Sequence, residues 1–556
     1  MSVDPASRAD PLRGGRVQIG GVVGAGLDAV TLARFSRALG PQRQVLDPSR
    51  RTFVADWDAC RLAGSAIGAA ELEAATRQGR LGDLDGAFAL AWLDVDGLHL
   101  VRDPVGERGA YYAHVSGGIA FASTLRPLLD GGLVRRVLNA GALPAYLSYG
   151  YVPGRETLVE GIFELLPGQH LVFRGGRVRD DRIWSLPAED VETEDEEVYR
   201  LRLRARLEAA VRGRLPVSGP VAATLSGGID SSVVAALASR LQDGLVSTFS
   251  LSFGRGIPNE LEYASAVAAH CGTEHHVVEL LPRAVMERFD ETIGALSTPI
   301  GEPLTVANSV LFEAASEQAA VVLNGEGGDP CFGGPKNVPM VLSALYGANL
   351  ERSYLLAHRK CFAELDRMLV PGLLEAAGLE AMLSPHLYDP RWSTLVNRLM
   401  ALNVTSKGGH HILPKVAQLS RPHGVLPRSP LFDRGVVDVA LRMPAELKLR
   451  GTVEKYIFKR AVEDLLPAEI VMRRKSGMRV PVEAWLQGKF DRFARERLLD
   501  GLAPYGIIQR PYLEDLARPD RKLPPARRGA KIWLLLSLEA WLRTVLAPTG
   551  ADKARQ

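Results

Sequence analysis

Residues 220–253 read PVAATLSGGIDSSVVAALASRLQDGLVSTFSLSF, and this order constrains the fold more than any other stretch. A short apolar run, a glycine-serine loop, an apolar helical pattern and a second apolar run follow one another. The rhythm then repeats: a helical stretch ELEYASAVAAHC closed by Gly272, the run EHHVVEL, and the run AAVVLNGE near residue 322. Strands alternating with helices require a parallel sheet covered on both faces. Such sheets bind ligands beyond the carboxyl ends of their strands. Residues 226–232 and 325–334 each follow a strand, so two glycine-rich loops are expected to face one crevice.

The first loop has the composition of a phosphate loop but carries no lysine. In GxxxxGK[ST] loops the lysine reaches the β and γ phosphates. Here Ser226, Gly227, Gly228, Asp230, Ser231 and Ser232 supply amides, hydroxyls and one carboxylate at a helix N-terminus. Amides and the helix dipole can cradle an anion without a cation in the loop. The Asp230 carboxylate would repel phosphate unless a divalent metal bridged them, so a Mg²⁺ site is expected. A loop of this kind suits a pyrophosphate leaving group, with chemistry at the α phosphate.

The rest of the chain narrows the class. At 556 residues it needs more than one domain, and 46% hydrophobic residues give ample core. Residues 16–180 show short alternating segments separated by glycines, the pattern of a β-rich domain. The stretch LPAEDVETEDEEVYRLRLRARLEAAVRGRL then reads as an acidic linker entering a helix with arginines toward its end. Boundaries follow at 1–185, 186–200 and 201–548, and beyond about 340 the pattern is mainly helical. A net charge of +3 argues against a nucleic-acid partner. The run KIWLLLSLEAWLRTVL is interrupted by Glu539 and Arg543, so it reads as a packed C-terminal helix and not a membrane span. Four scattered cysteines and no apolar leader point to the cytoplasm.

Several motifs together resemble the asparagine synthetase superfamily. LSGGIDSS is similar to the pyrophosphate loop of ATP pyrophosphatases. GDLDGAFALAWLD and LVRDPVGERGAYYAH resemble the family's glutaminase-type domain. GTEHH, VVLNGEGGDPCFGG, RSPLFD, EKYIFKRAVEDLLPAEIVMRRKSGMRVPVEAW and IWLLLSLEAWLR resemble its synthetase domain, in the family's order. The resemblance implies an α/β protein: an N-terminal αββα sandwich of two antiparallel sheets, followed by a parallel-sheet adenine-nucleotide domain with a helical C-terminal part. It implies ATP and Mg²⁺, with Asp230 and Asp329 as metal ligands and Leu225 and Gly325 meeting adenine through the backbone. Lys455 and Lys475 are implied to face the phosphates and the reaction centre; Glu326, where the family usually has an aspartate, is expected to be catalytic with Lys475.

Two departures shape the functional expectation. The family's glutaminase uses an N-terminal cysteine as nucleophile, whereas this sequence begins Met-Ser-Val-Asp and its first cysteine is Cys60. The first domain is therefore expected to be an inactive scaffold. In GEGGDPCFGGPKN, Pro330 stands where a glutamate is usual and Pro335-Lys336-Asn337 where a tyrosine is usual. The altered loop resembles that of the cyclases that close the macrolactam ring of lasso peptides. The expected reaction is adenylation of a peptide side-chain carboxylate, then attack by the peptide's own amine. Expected partners are a precursor peptide as substrate, a leader peptidase and a leader-binding protein. The alternatives are an ammonia-dependent asparagine synthetase, a β-lactam synthetase-like ligase, and a tRNA-modifying ATP pyrophosphatase, the last disfavoured by the near-neutral charge. His275 and His276 are adjacent in a strand and cannot chelate together. His410 and His411 are read as a loop near the acyl site, and Tyr111-Tyr112 as packing.

Overall fold

The structure is a computed structural model, and it describes residues 17–24, 28–47, 51–190, 192–257, 259–334, 337–358, 360–374, 378–473, 478–518 and 525–547. The expected parallel sheet is built from β1 (Val221–Thr224), β2 (Val246–Ser252), β3 (Glu274–Glu279), β4 (Val321–Leu323) and β5 (Leu426–Arg428), in spatial order β3-β2-β1-β4-β5. Every pairing is parallel. Strand β1 is apolar and buried over Val221–Ala223 because both faces are covered. Val221 and Ala223 pack with α1 (Ile229–Leu241) and α2 (Leu261–Cys271), while Ala222 packs on the other face with α3 (Leu304–Ser316). Gly272 closes α2 in the left-handed conformation. Strand β5 was not expected. It is three residues long and contains Pro427, which hides it from any periodicity.

The N-terminal part is a sandwich of a five-stranded and a six-stranded sheet. Ile19, Tyr112, Phe121, Val54 and Leu98 fill the space between the sheets. Helix Ala69–Arg77 covers the outer face of one sheet, and Ala29–Ala38 covers the other. One expectation is corrected here: the five-stranded sheet is not wholly antiparallel. Gln18–Val23 pairs in parallel with Arg43–Leu46 because the chain returns through helix Ala29–Ala38 instead of a hairpin. Tyr111 and Tyr112 are buried in the sheet, as expected of packing residues. The RDPVGER motif folds around Asp103, whose carboxylate accepts the amides of Val105, Gly106, Glu107 and Arg108 at 2.7–3.2 Å.

Buried ion pairs join the two parts. Arg428, at the end of β5, donates two hydrogen bonds to Asp58 at 2.8 and 2.9 Å. Arg102 donates to Glu164 at 2.6 Å and to the Gly409 carbonyl at 2.8 Å. Asp433 takes both Arg61 and Arg214. The acidic linker is similarly tied down: Glu196 holds Arg450 and Tyr456, and Asp190 holds Arg442. The C-terminal stretch forms helix Pro525–Trp541, with Trp533 and Trp541 fully buried. Among the described residues no helix is long and apolar enough to cross a membrane.

Candidate active site

The cleft lies at the carboxyl ends of β1, β2 and β4, and both glycine-rich loops line it. Counted to its open mouth it measures about 1150 Å³. The first loop connects β1 to α1 and is held by its own serines. The Ser226 amide donates to Ser231 Oγ at 3.1 Å, and the two hydroxyls lie 3.0 Å apart. Ser232 sits beneath the loop, fully buried, and donates to the Gly228 carbonyl at 2.8 Å. Gly227 has φ +75°, and a Cβ there would meet the Ala264 nitrogen at 2.6 Å. Glycine is needed on both counts.

The second loop closes onto the first. A Cβ on Gly325 would lie 2.4 Å from the Ser231 nitrogen, and one on Gly328 would lie 2.1 Å from Asp230 Oδ1. Two backbones thus approach more closely than any side chain allows, and Asp230 and Asp329 face the same point. Lys455 occupies that point. Its Nζ is 2.7 Å from both oxygens of Asp230 and 2.7 Å from Asp329 Oδ1. The residue itself holds a left-handed backbone, φ +56°, just before helix Tyr456–Val462. Such a conformation in a non-glycine residue costs about 1–3 kcal/mol and marks a place where the surroundings impose geometry. Two carboxylates converging on one cation is a donor set that suits Mg²⁺.

Leu225 and Gly325 line the cleft, with Phe249, Leu251, Leu311 and Phe312 forming an apolar wall suited to a planar base. Glu326 also lines the cleft, its amide donating to Asn324 Oδ1 at 3.1 Å and its Oε1 4.0 Å from Lys415 Nζ. Lys475 lies outside the described residues. Its near neighbour Arg473 donates to the Gly227 carbonyl at 3.2 Å, pairs with Glu260 and stacks 3.8 Å above Tyr263. Arg473 therefore clasps the pyrophosphate-type loop from outside, a role no motif announced.

A second cluster was also not anticipated. Lys415, 2% exposed, holds Glu302 at 2.8 Å, and His411 Nε2 lies 3.1 Å from the same carboxylate. Burial alone would raise the Glu302 carboxyl, but the Lys415 ammonium and His411 outweigh it and hold it well below its ordinary value. Burial pushes the His411 imidazole down to about 4. The Lys-Gly-Gly-His-His stretch is not a loop, which corrects the sequence expectation. Asn403–Ile412 is a wide-turned helical segment continuing helix Leu395–Leu402. Its turns point His410 at Glu164 and stack His411 on Tyr151, both in the N-terminal part. His275 and His276 are occupied by Thr248 and Phe249.

Two family models match the chain in the order of its two parts. Residues 202–543 match the model of the asparagine synthase family, and residues 72–184 match that of a glutamine amidotransferase domain. Asparagine synthetase [glutamine-hydrolyzing] 1 of Bacillus subtilis is 25% identical over 430 residues, covering 71% of this chain and 67% of that protein. A putative asparagine synthetase [glutamine-hydrolyzing] of Mycobacterium tuberculosis is 28% identical over 443 residues, with the same coverage of 71% and 67%. Among solved structures, an NH3-dependent NAD synthetase from Campylobacter jejuni matches 33% of this chain and 91% of its own, at 17% identity and a TM-score of 0.19.

Proposed function

The chain belongs to the asparagine synthase family of ATP-dependent ligases, and from that premise we propose that it adenylates a side-chain carboxylate of a peptide and closes it onto the peptide's own amine as a macrolactam. The observation that carries the ATP half is the convergence of Asp230, Asp329 and Lys455 between two glycine loops. Amides at the start of α1 hold the pyrophosphate end of ATP, and Asp230 with Asp329 would hold Mg²⁺. When bound, the metal supplies charge neutralisation on the triphosphate.

The substrate carboxylate attacks the α phosphate and pyrophosphate leaves. An amine then attacks the acyl carbon, AMP leaves, and Glu326, which lines the cleft, would take the amine's proton. Enclosure makes the amine's attack effectively unimolecular and keeps water from the acyl-adenylate. Two features support an amine already on the substrate. Cys60, the one cysteine in the N-terminal part among the described residues, is wholly buried, and burial beside Asp58 pushes its thiol well up, so it is no nucleophile. Pro330 and the loop it opens have also diverged where the acyl substrate would meet the nucleotide site. The precursor would reach the enzyme through a leader-binding protein and a leader peptidase. The names of the relatives favour one other reading, amidation of free aspartate with ammonia.

The test separates these directly. Purified enzyme, ATP and Mg²⁺ are incubated with precursor peptide bearing an exposed core N-terminus. AMP and pyrophosphate with a product about 18 Da lighter than the linear peptide support cyclisation. Asparagine formed from aspartate and ammonia would return the chain to the ordinary synthetases, and ADP as stoichiometric product would remove both readings.

A further inference from the structure

The cleft continues past Asp329 into a second cavity of about 580 Å³ including its mouth. The two spaces share Asp329, Pro330 and Lys407. Part of its wall is apolar: Met340, Tyr354 and Leu399 come from three different helices and are each buried, while Asn337, His358 and Asn403 line the rest. The polar atom among the first three is already used, since the Tyr354 hydroxyl donates to Asn403 Oδ1 at 3.1 Å. Around these three side chains the recess presents hydrocarbon and a phenol already hydrogen-bonded.

The mouth is different. Lys407 is half-buried on the wide-turned segment, and among the described residues its ammonium makes no hydrogen bond or ion pair. The nearby cations are committed: Lys415 to Glu302, and Lys360 to the Gly301 carbonyl at 2.7 Å. Pro330 brings no charge to the shared rim. Lys407, with no paired anion among the described residues, thus stands between a nucleotide-type cleft and a partly apolar recess, while the Asp329 carboxylate on the same rim is held by Lys455. An ammonium in that position suits a carboxylate or carbonyl oxygen, and the recess suits a hydrocarbon side chain a few bonds away.

We propose that this recess is the specificity pocket for the acyl substrate, taking an apolar side chain next to the acidic residue whose carboxylate Lys407 orients toward the α phosphate. The substrate class is a peptide with an Asp or Glu flanked by a residue such as Leu or Phe. The inference rests on the adenylation reading above and adds to it a side-chain preference.

The experiment is ATP–pyrophosphate exchange with blocked synthetic tripeptides, acetyl-X-Asp-X-amide and acetyl-X-Glu-X-amide, where X is Leu, Phe, Gly, Lys or Glu. Exchange is expected to be strongest for Leu and Phe. Leu399→Trp fills the recess and should raise KM for those peptides about tenfold or more, to the level of the Gly peptide, with KM for ATP unchanged. Ala357→Phe, at the rim, does the same if the first variant fails to fold by circular dichroism. Lys407→Met should weaken all the peptides alike. Exchange indifferent to X, or unaltered by both filling variants, overturns the pocket and leaves adenylation standing. Exchange with free aspartate but with none of the peptides overturns the pocket and the peptide-cyclase reading together.

Discussion

Lys455 Nζ lies 2.7 Å from each carboxylate oxygen of Asp230, across 225 residues of chain. With Asp329 on its other side, this ammonium stands where the two carboxylates would hold a divalent cation. If Asp230 and Asp329 hold Mg²⁺ as proposed, a monovalent group in that position competes with the metal for them. Lys455→Met should therefore bind Mn²⁺ without nucleotide more tightly than wild type, by about tenfold or more, because two close carboxylates are left without a counter-charge. Electron paramagnetic resonance titration of free Mn²⁺ reads this. Unchanged Mn²⁺ affinity would mean that the carboxylates do not form a metal site.

Asp230→Asn and Asp329→Asn should each reduce AMP formation by about 100-fold or more, since each removes charge from the pair proposed to hold Mg²⁺. Far-ultraviolet circular dichroism should not change. A variant that retains wild-type turnover at ordinary Mg²⁺ identifies its residue as no ligand.

Gly325→Ala tests whether the two loops need their close approach. Its Cβ would fall 2.4 Å from the Ser231 nitrogen, so one loop must move. ATP affinity should drop by about tenfold or more, with a stability loss of about 1–3 kcal/mol for overpacking. Fluorescent-nucleotide titration and urea denaturation measure the two. Intact affinity would show that the loops act independently.

Lys415→Met strips Glu302 of its main counter-ion. The expected loss is about 2–3 kcal/mol, below that for a fully buried pair, because the Glu302 side chain is still 31% exposed. The double variant Lys415→Met/Glu302→Gln should recover most of the loss, since no charge is then left alone. Urea midpoints of the three variants decide it, and additive losses would deny the coupling.

His411 should make stability fall on acidification. Its folded value is about 4 against an ordinary 6.5, so the unfolded chain binds a proton that the folded one refuses. The contribution is whole above pH 6.5 and is lost as pH falls toward 4. Glu302, held low, adds a loss only below the ordinary carboxylate range. His170, also pushed down to about 4 by burial, acts with the same sign. His411→Gln should flatten the slope of urea midpoint against pH between 6.5 and 4. An unchanged slope would assign the acid sensitivity elsewhere.

The parallel sheet, its order of strand, loop and helix, and the Ser226–Ser232 loop were legible in sequence. Each depends on neighbours within about a dozen residues: apolar runs too short for helices, a capping pattern, and glycines where amides must face an anion. The place of Asp230 at the start of α1, lining the cleft, could also be read from sequence. Strand β5, the helical Asn403–Ile412 segment and the Lys415–Glu302–His411 cluster were not legible. Their residues gain meaning only from partners about a hundred positions away or more, and neither a three-residue strand nor a wide helical turn leaves a period to detect. The same holds for Lys455. Sequence could nominate it for the phosphates, but only the fold, by forcing a left-handed residue at the start of Tyr456–Val462, sets its ammonium between Asp230 and Asp329. Local chemistry is written in short-range pattern, whereas convergence of charge is set by packing, which brings distant residues within 3 Å because the sheet and its two loops leave them nowhere else to go.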